Sequence, residues 1–347
     1  MIVAGAGMAG LVAAARAREL GSSPAVYEKG TRPGGSMLLS SGVVWRHREW
    51  DDFRRECPGG DESLQRLVWE RLDDALDWLV ALGAPVVWEE TRNPLTTGKR
   101  FDPAGLTTLL CSRVSALELA MTPSFAEGEP TVLATGGFAA SRELVARYVA
   151  PVAPLRLRAN PWSTGDALAI ALECGAALSA GMDEFYGRNM PDREWGEDEF
   201  VSASQLYARR ARIVDVDGVE FFRAADVSWS ETNVVQATAR RPGARAYYLL
   251  DEVALADPEV AAQVEAAGSA RVGLGKVRVV ASITHTIGGL RVDDRARVLS
   301  EDGTAIEGLY AAGVDAGGVA TGGYASGLAQ ALVLGLVAAE DAAGYSP

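Results

Sequence analysis

The chain is poor in the residues that staple or metallate proteins. Three cysteines in 347 residues, Cys57, Cys111 and Cys174, are too few and too scattered for a disulfide framework or a zinc site. They read as buried, reduced thiols. Only two histidines are present, His47 and His285. A net charge of −13, with no lysine- or arginine-rich run to offset it locally, repels phosphate backbones and anionic membrane surfaces. Nucleic acid is therefore not expected as a partner. The most apolar stretch, 331–339, is far short of a bilayer span, so no membrane span is expected. The chain begins inside its first strand, which leaves no room for a signal peptide and gives the expectation of a cytoplasmic protein. There are no internal repeats or low-complexity tails.

What is there begins at once. Met1-Ile2-Val3-Ala4 is a short apolar strand running into Gly5-Ala6-Gly7-Met8-Ala9-Gly10, a G-x-G-x-x-G that opens a helix. Gly5 makes the tight turn, Gly7 lets the backbone approach a pyrophosphate, and Gly10 lets the helix lie close on the strand. The helix amino terminus, with Met8 and Ala9 in its first turn, offers free N–H groups to the phosphates. Glu28 closes the next strand near the spacing, about 20 residues, at which an acid accepts hydrogen bonds from ribose hydroxyls. It argues against a 2′-phosphate, and Lys29 stands beside it.

Strand and helix patterns alternate through the first half. Gly30-Thr31-Arg32-Pro33-Gly34-Gly35-Ser36 is a loop that lets backbone meet a ligand. Residues 61–82 form an amphipathic helix with Leu64, Leu67, Val68, Leu72, Ala75, Leu76 and Leu79 on one face and Gly83 placed to end it. Two further strands break into glycines, at Gly136-Gly137 and at Gly313. Such exits gather at one edge of a parallel sheet, where α/β proteins bind ligands. Residues from about 178 to 282 are more mixed and charged, and read as an inserted second domain. The expected division is 1–177, 178–282 and 283–347. Near the end, Gly322-Gly323-Tyr324-Ala325-Ser326-Gly327 opens a helix, and a dipole there favours the negative charge that a reduced isoalloxazine carries around N1 and O2.

The ordered blocks GAGMAG (5–10), YEKG (27–30), GGSMLLSSG (34–42), VLATGGF (132–138), NPWSTGDALAIALECGAAL (160–178), THTIGGLRVD (284–293) and GLYAAGVDAGG (308–318) resemble a family. It is the FAD-dependent fumarate reductase/succinate dehydrogenase flavoprotein superfamily, on the side of its 3-ketosteroid and tricarballylate dehydrogenase relatives. The resemblance implies an α/β fold, with a Rossmann-like FAD-binding domain and an inserted α+β capping domain, and an active site between them beside the flavin. It implies that Gly5, Gly7 and Gly10 hold pyrophosphate, Glu28 the adenosine ribose, and Gly34, Gly35 and Ser36 the phosphate and ribitol region. Ser40, Ser41 and Gly42 would approach the flavin ring. Thr135 and Gly136 would line the adenine side, and Asp166 would also contact FAD. Gly313, Asp315, Ser326, Gly327 and Leu328 would meet the ribitol and the pyrimidine end. Ser36 stands where some relatives place the histidine of a covalent flavin link, so the FAD is expected to be non-covalent.

Departures from that pattern bear on the substrate. Dicarboxylate-handling members have a histidine at the place of Thr284 and an arginine near Gly322. Their cap arginine falls in 221–229, where this chain offers only Arg223. Without two cationic clamps a fumarate or succinate dianion is poorly held. The remaining resemblance is to dehydrogenases of bulkier, weakly charged carbonyl compounds. For these, His285, Tyr324, Tyr186 and Arg188 are the candidate catalytic groups, with Tyr324 the preferred acid or base. Arg46 and His47 read as an exposed basic turn.

No second G-x-G-x-x-G follows a strand, because Gly273-Leu274-Gly275 has Arg278 in the third place. No dedicated NAD(P)H domain is expected, and the electron acceptor or donor stays unassigned. The stretches 106–130 and 257–278 are brief for this family. Three readings follow: introduction or reduction of a carbon–carbon double bond beside a carbonyl, a flavin oxidase or oxygenase using O2, and an FAD-stabilised binding protein without catalysis.

Overall fold

In the computed structural model, described for residues 1–122, 129–223 and 230–344, the chain forms two compact units. The first comprises Met1–Phe138, Asn160–Met182 and Thr286–Pro347; the second comprises Ala139–Ala159 and Asp183–His285.

The first unit is built on a six-stranded sheet in the order Arg297–Leu299, Ala305–Ala311, Thr131–Leu133, Ile2–Ala4, Ala25–Glu28, Ala116–Leu119. All its pairings are parallel except that of the first two strands. Ile2, Val3 and Ala4 are buried, as a strand covered on both faces requires. Helix Met8–Glu19 packs against helix Gly327–Ala342. Both present alanine and glycine to the contact, and a Cβ on Gly335 would lie 2.6 Å from the Ala9 carbonyl oxygen. Parallel strands ending at Ala4, Glu28, Leu133 and Ala311 deliver their glycine-rich exits to one sheet edge.

Helix Glu62–Ala81 follows the expected face, and the Asp61 carboxylate caps it by accepting from the Leu64 N–H at 3.1 Å. Beside it lies a three-stranded antiparallel sheet, Val43–His47, Thr96–Phe101 and Val86–Trp88. This sheet, and not a turn, holds the basic segment after the flavin loop. Arg46 and His47 are not an exposed turn, because strand alternation sends His47 inward, where it is 1% exposed, while Arg46 turns to Asp73. Nor are all three cysteines buried: Cys57 is buried, Cys111 half-buried, and Cys174 exposed at the end of helix Asp166–Glu173.

The second unit holds a seven-stranded sheet. Glu220–Phe222, Arg212–Val214, Arg245–Leu249, Lys276–Thr286 and Arg271–Gly273 run in that order, and Arg156–Leu157 and Phe185–Pro191 also pair with the long strand Lys276–Thr286. Gly273-Leu274-Gly275 is the tip of the hairpin between the last two strands in sequence. Helices Ser230–Ala239 and Pro258–Ala266 accompany this sheet, whose core includes Ile213, Val234, Tyr248, Val264, Val277 and Val279. Arg223 is exposed and pairs with Glu220; residues 224–229 of the expected cap-arginine stretch lie outside the described residues. Among the described residues no helix is long and apolar enough to cross a membrane.

Candidate active site

Three glycines of the first turn divide the work. A Cβ on Gly5 would lie 2.1 Å from the Ala134 carbonyl oxygen, and one on Gly10 would lie 1.9 Å from that of Gly5. These two close the turn on itself. Gly7, just before helix Met8–Glu19, is different: a Cβ there meets nothing within 4 Å, and no side chain caps the helix behind it. Uncapped donors of the first turn, Met8, Ala9 and Gly10, at the positive end of a helix and with open space beside Gly7, form a cradle for a pyrophosphate.

Glu28 is fixed beside this cradle. Its Oε2 accepts from the Ala6 N–H at 2.8 Å and its Oε1 from the Gly30 N–H at 2.6 Å. Lys29 Nζ turns to Asp166 at 2.9 Å and to Thr164 Oγ1 at 2.6 Å, so these two expected contact residues hold each other.

The opposite wall is the loop into the short helix Gly35–Leu38. Gly34 and Gly35 have φ of +103° and +49°, which glycine adopts freely, and a Cβ on Gly35 would sit 3.3 Å from the Gly7 Cα. Ser36 Oγ accepts from Asn160 Nδ2 at 2.9 Å, and Asn160 also reaches Ser163 Oγ at 3.1 Å. Asn160 was not singled out from the sequence; its one signal is membership of the NPWSTGDA block. Ser40 Oγ donates to the Met37 carbonyl at 2.7 Å and accepts from the Gly42 N–H at 3.0 Å. The Ser41 carbonyl is held by Arg100.

At the next strand exits, the buried Asp315 carboxylate gathers the N–H groups of Thr135, Gly136 and Gly137, the last at 2.9 Å, and the Thr135 hydroxyl at 3.2 Å. Burial pushes this carboxyl up, and the backbone donors oppose the shift. Asp315 thereby ties the loop after Thr131–Leu133 to the turn Gly313–Asp315. Ser326 Oγ caps the last helix by accepting from the Ala329 N–H at 3.2 Å, with Gly327 and Leu328 opening that helix. The glycine pairs before it also have packing reasons. A Cβ on Gly317 would lie 2.1 Å from the Gly289 nitrogen, and one on Gly323 would lie 1.6 Å from the Glu56 carbonyl oxygen.

Tyr324 lies in this unit, its ring 5.3 Å from that of Trp45. Its backbone acts on the buried His47 imidazole, which stacks on Phe53 at 5.3 Å. Burial keeps His47 below its usual value and hence neutral.

The other three candidates belong to the second unit and meet there. The Tyr186 and His285 rings stack at 4.9 Å with 26° between planes, and the Arg188 guanidinium carbon is 4.7 Å from the Tyr186 ring centre. Alternation along strand Phe185–Pro191 puts Tyr186 and Arg188 on one face. Gly187 between them allows a close approach: a Cβ there would lie 1.8 Å from the Ser282 carbonyl oxygen. Arg188 is not simply solvated, because its Nη1 donates to Thr232 Oγ1 at 3.1 Å. Thr284, at the place of the dicarboxylate histidine, accepts from Arg158 Nη1 at 3.0 Å.

The sequence matches the FAD binding domain family over residues 1–116 and 111–328. The chain belongs to this family. Its cofactor is FAD, and the open cradle at Gly7 with Glu28 beside it fits the dinucleotide. Among the curated proteins to which the whole chain is similar are two fumarate reductases. One is the "Probable fumarate reductase Ifc3" of Shewanella frigidimarina (strain NCIMB 400), 24% identical over an alignment of 447 positions that covers 100% of this chain and 75% of the relative. The other is a fumarate reductase (cytochrome) of Shewanella frigidimarina, 21% identical over 449 positions that cover 77% of it. Alignments this long against 347 residues leave the relatives with stretches this chain lacks.

Among the solved structures that share the fold are two with a TM-score of 0.74, 19% identity and 99% of this chain covered. They are the open conformation of a flavocytochrome c3 fumarate reductase, covered over 78%, and the 3-ketosteroid-delta4-(5alpha)-dehydrogenase of Rhodococcus jostii RHA1 with 4-androstene-3,17-dione, covered over 96%. The family member described here is an FAD-dependent oxidoreductase with the α/β architecture its sequence implies.

Proposed function

We propose that the protein introduces or removes a carbon–carbon double bond next to a carbonyl in a bulky, weakly charged substrate. In the oxidative direction a proton leaves the carbon α to the carbonyl and a hydride leaves the β carbon. FAD supplies the two-electron acceptor or donor. The observation that carries the reading is the stack of His285, Tyr186 and Arg188, three groups suited to proton transfer and to polarising an oxygen, assembled from two strands.

In this reading the Tyr186 phenol takes up or returns the α proton. The Arg188 guanidinium over its ring stabilises negative charge as that charge builds. His285 fixes the ring plane and donates toward the carbonyl oxygen. Tyr324, seated on Trp45, is a second proton-transfer group, and the cofactor contacts are those named above from Gly5 to Leu328. Residues 178–282 serve as the substrate-side domain. Exclusion of dicarboxylates is supported by Arg223, which is exposed and paired with Glu220 instead of being set aside for a substrate anion.

The test is anaerobic bleaching of the yellow holoprotein with a panel of carbonyl compounds that includes 4-androstene-3,17-dione, with fumarate as the dicarboxylate control for reoxidation. At least one carbonyl compound bleaches the flavin, and fumarate does not reoxidise it. Tyr186→Phe slows bleaching about 100-fold or more, in the range expected for a general acid or base. If Tyr186→Phe, His285→Ala and Tyr324→Phe each slow it by no more than a few-fold, the assignment is wrong.

A further inference from the structure

Behind Arg188 the second unit holds polar groups that this chemistry does not use. Glu231, in the first turn of helix Ser230–Ala239, is part-buried, and its Oε1 accepts from the Ala208 N–H at 2.9 Å. The next residue, Thr232, takes the hydrogen bond from Arg188. Four ionisable groups are electrostatically coupled to this carboxyl, two arginines that act on it and two tyrosines on which it acts. They are Arg188 from strand Phe185–Pro191, Arg209 from the turn Ala208–Arg210, Tyr207 just before that turn, and Tyr248 from strand Arg245–Leu249.

The two phenols bring no charge. Both are buried, burial pushes both upward, and their hydroxyls are engaged: Tyr207 donates to Gln205 at 2.6 Å and Tyr248 accepts from Asn189 Nδ2 at 3.0 Å. The cations acting on the carboxyl are therefore Arg188 and Arg209. Removal from water disfavours the ionised form and outweighs them, pushing Glu231 up to about 7.

We infer that Glu231 is a positioning residue for the Tyr186–His285 pair, acting through Arg188: ionised, it draws the guanidinium's charge to itself, and protonated, it leaves that charge to the Tyr186 ring and the substrate oxygen. The proton exchanges with solvent and none is consumed. This inference rests on the reading of Tyr186, Arg188 and His285 as the reacting cluster. Its consequence is that the cluster changes character as pH crosses neutrality, with no titration of the reacting groups themselves.

Infrared difference spectra of the holoprotein between pH 5 and 9 follow the protonated carboxyl band directly. A band titrating near neutrality is expected in the wild type and is absent in Glu231→Gln. In Arg188→Ala its midpoint rises by about one pH unit or more, because a facing cation is gone. In the bleaching assay, Glu231→Gln removes the inflection of rate with pH near neutrality, and Glu231→Asp restores one. A structural role alone would lower stability but leave the rate inflection in Glu231→Gln and the infrared midpoint in Arg188→Ala where the wild type has them. An unmoved midpoint in Arg188→Ala overturns the coupling, and an inflection that survives in Glu231→Gln overturns the positioning role. If no carbonyl compound bleaches the flavin, the reading of the cluster fails, while the infrared midpoint still decides whether Glu231 and Arg188 are coupled.

Discussion

Gly10 lies so close against Gly5 that a Cβ on the former would fall 1.9 Å from the carbonyl oxygen of the latter, whereas Gly7, midway between them, borders open space. The three glycines of one motif are therefore separable by experiment. Gly7→Ala, at a φ of −81° that alanine accepts, should melt like the wild type as apoprotein but bind FAD at least about tenfold more weakly, a loss of roughly 1.4 kcal/mol or more. Gly10→Ala should lower the melting temperature of the apoprotein itself. Equal FAD affinity in Gly7→Ala and wild type, by flavin fluorescence titration, would remove the cofactor from this turn.

His47 makes acid stability a local property of the first unit. Burial holds its folded value below the unfolded 6.5, so its contribution is fully present above about pH 6.5 and is lost as pH falls through the folded value. Melting temperatures measured from pH 8 down to pH 5 should drop less steeply in His47→Gln than in the wild type. Glu231 works with the opposite sign, since its raised value gives stability that is complete below about 4.5 and lost as pH rises through about 7. The comparison is cleanest in a Glu231→Gln background, and identical slopes with and without His47 would refute it.

Glu340 joins three helices. From the last helix its carboxylate takes Arg16 at 3.0 Å on one oxygen and Arg71 at 3.0 Å on the other. The carboxylate side chain is 9% exposed and the arginines are 21% and 33% exposed, so water screens the pairs in part. Glu340→Gln should cost on the order of 1–2 kcal/mol, a fall of about 1–3 degrees in the thermal midpoint, with an unchanged flavin spectrum. A spectrum that shifts would place the ion pairs in the cofactor site and not in the scaffold.

What could be read from the sequence was local in the chain. The turn at Gly5–Gly10 announced itself because strand, glycine spacing and acid lie within 28 residues. Helix Glu62–Ala81 was legible because its apolar spacing runs unbroken between a capping Asp61 and Gly83. His47 was not, since flanking Arg46 and Arg48 give the segment a polar look while strand alternation, invisible in so short a run, decides which side chain turns inward. Asn160 and Asp315 hold loops 124 and about 180 residues away, a kind of partnership no spacing rule reveals. The link between Glu231 and Arg188 is hidden for the same reason. Tyr186 and Arg188 stand about a hundred residues from His285, and only the pairing of Phe185–Pro191 with Lys276–Thr286 shows them as neighbours.

The carboxylate that gathers Thr135, Gly136 and Gly137 comes from a segment synthesised long after them. Strand Ala305–Ala311 beside Thr131–Leu133, and helix Gly327–Ala342 against Met8–Glu19, arrive later still in translation than the whole of the second unit. A nascent chain that has released the second unit therefore carries an unfinished nucleotide fold, with its first helix bare on one side. The wall behind the nucleotide turn therefore closes only when residues 305–342 have joined residues 2–19 and 131–137, at opposite ends of the polypeptide.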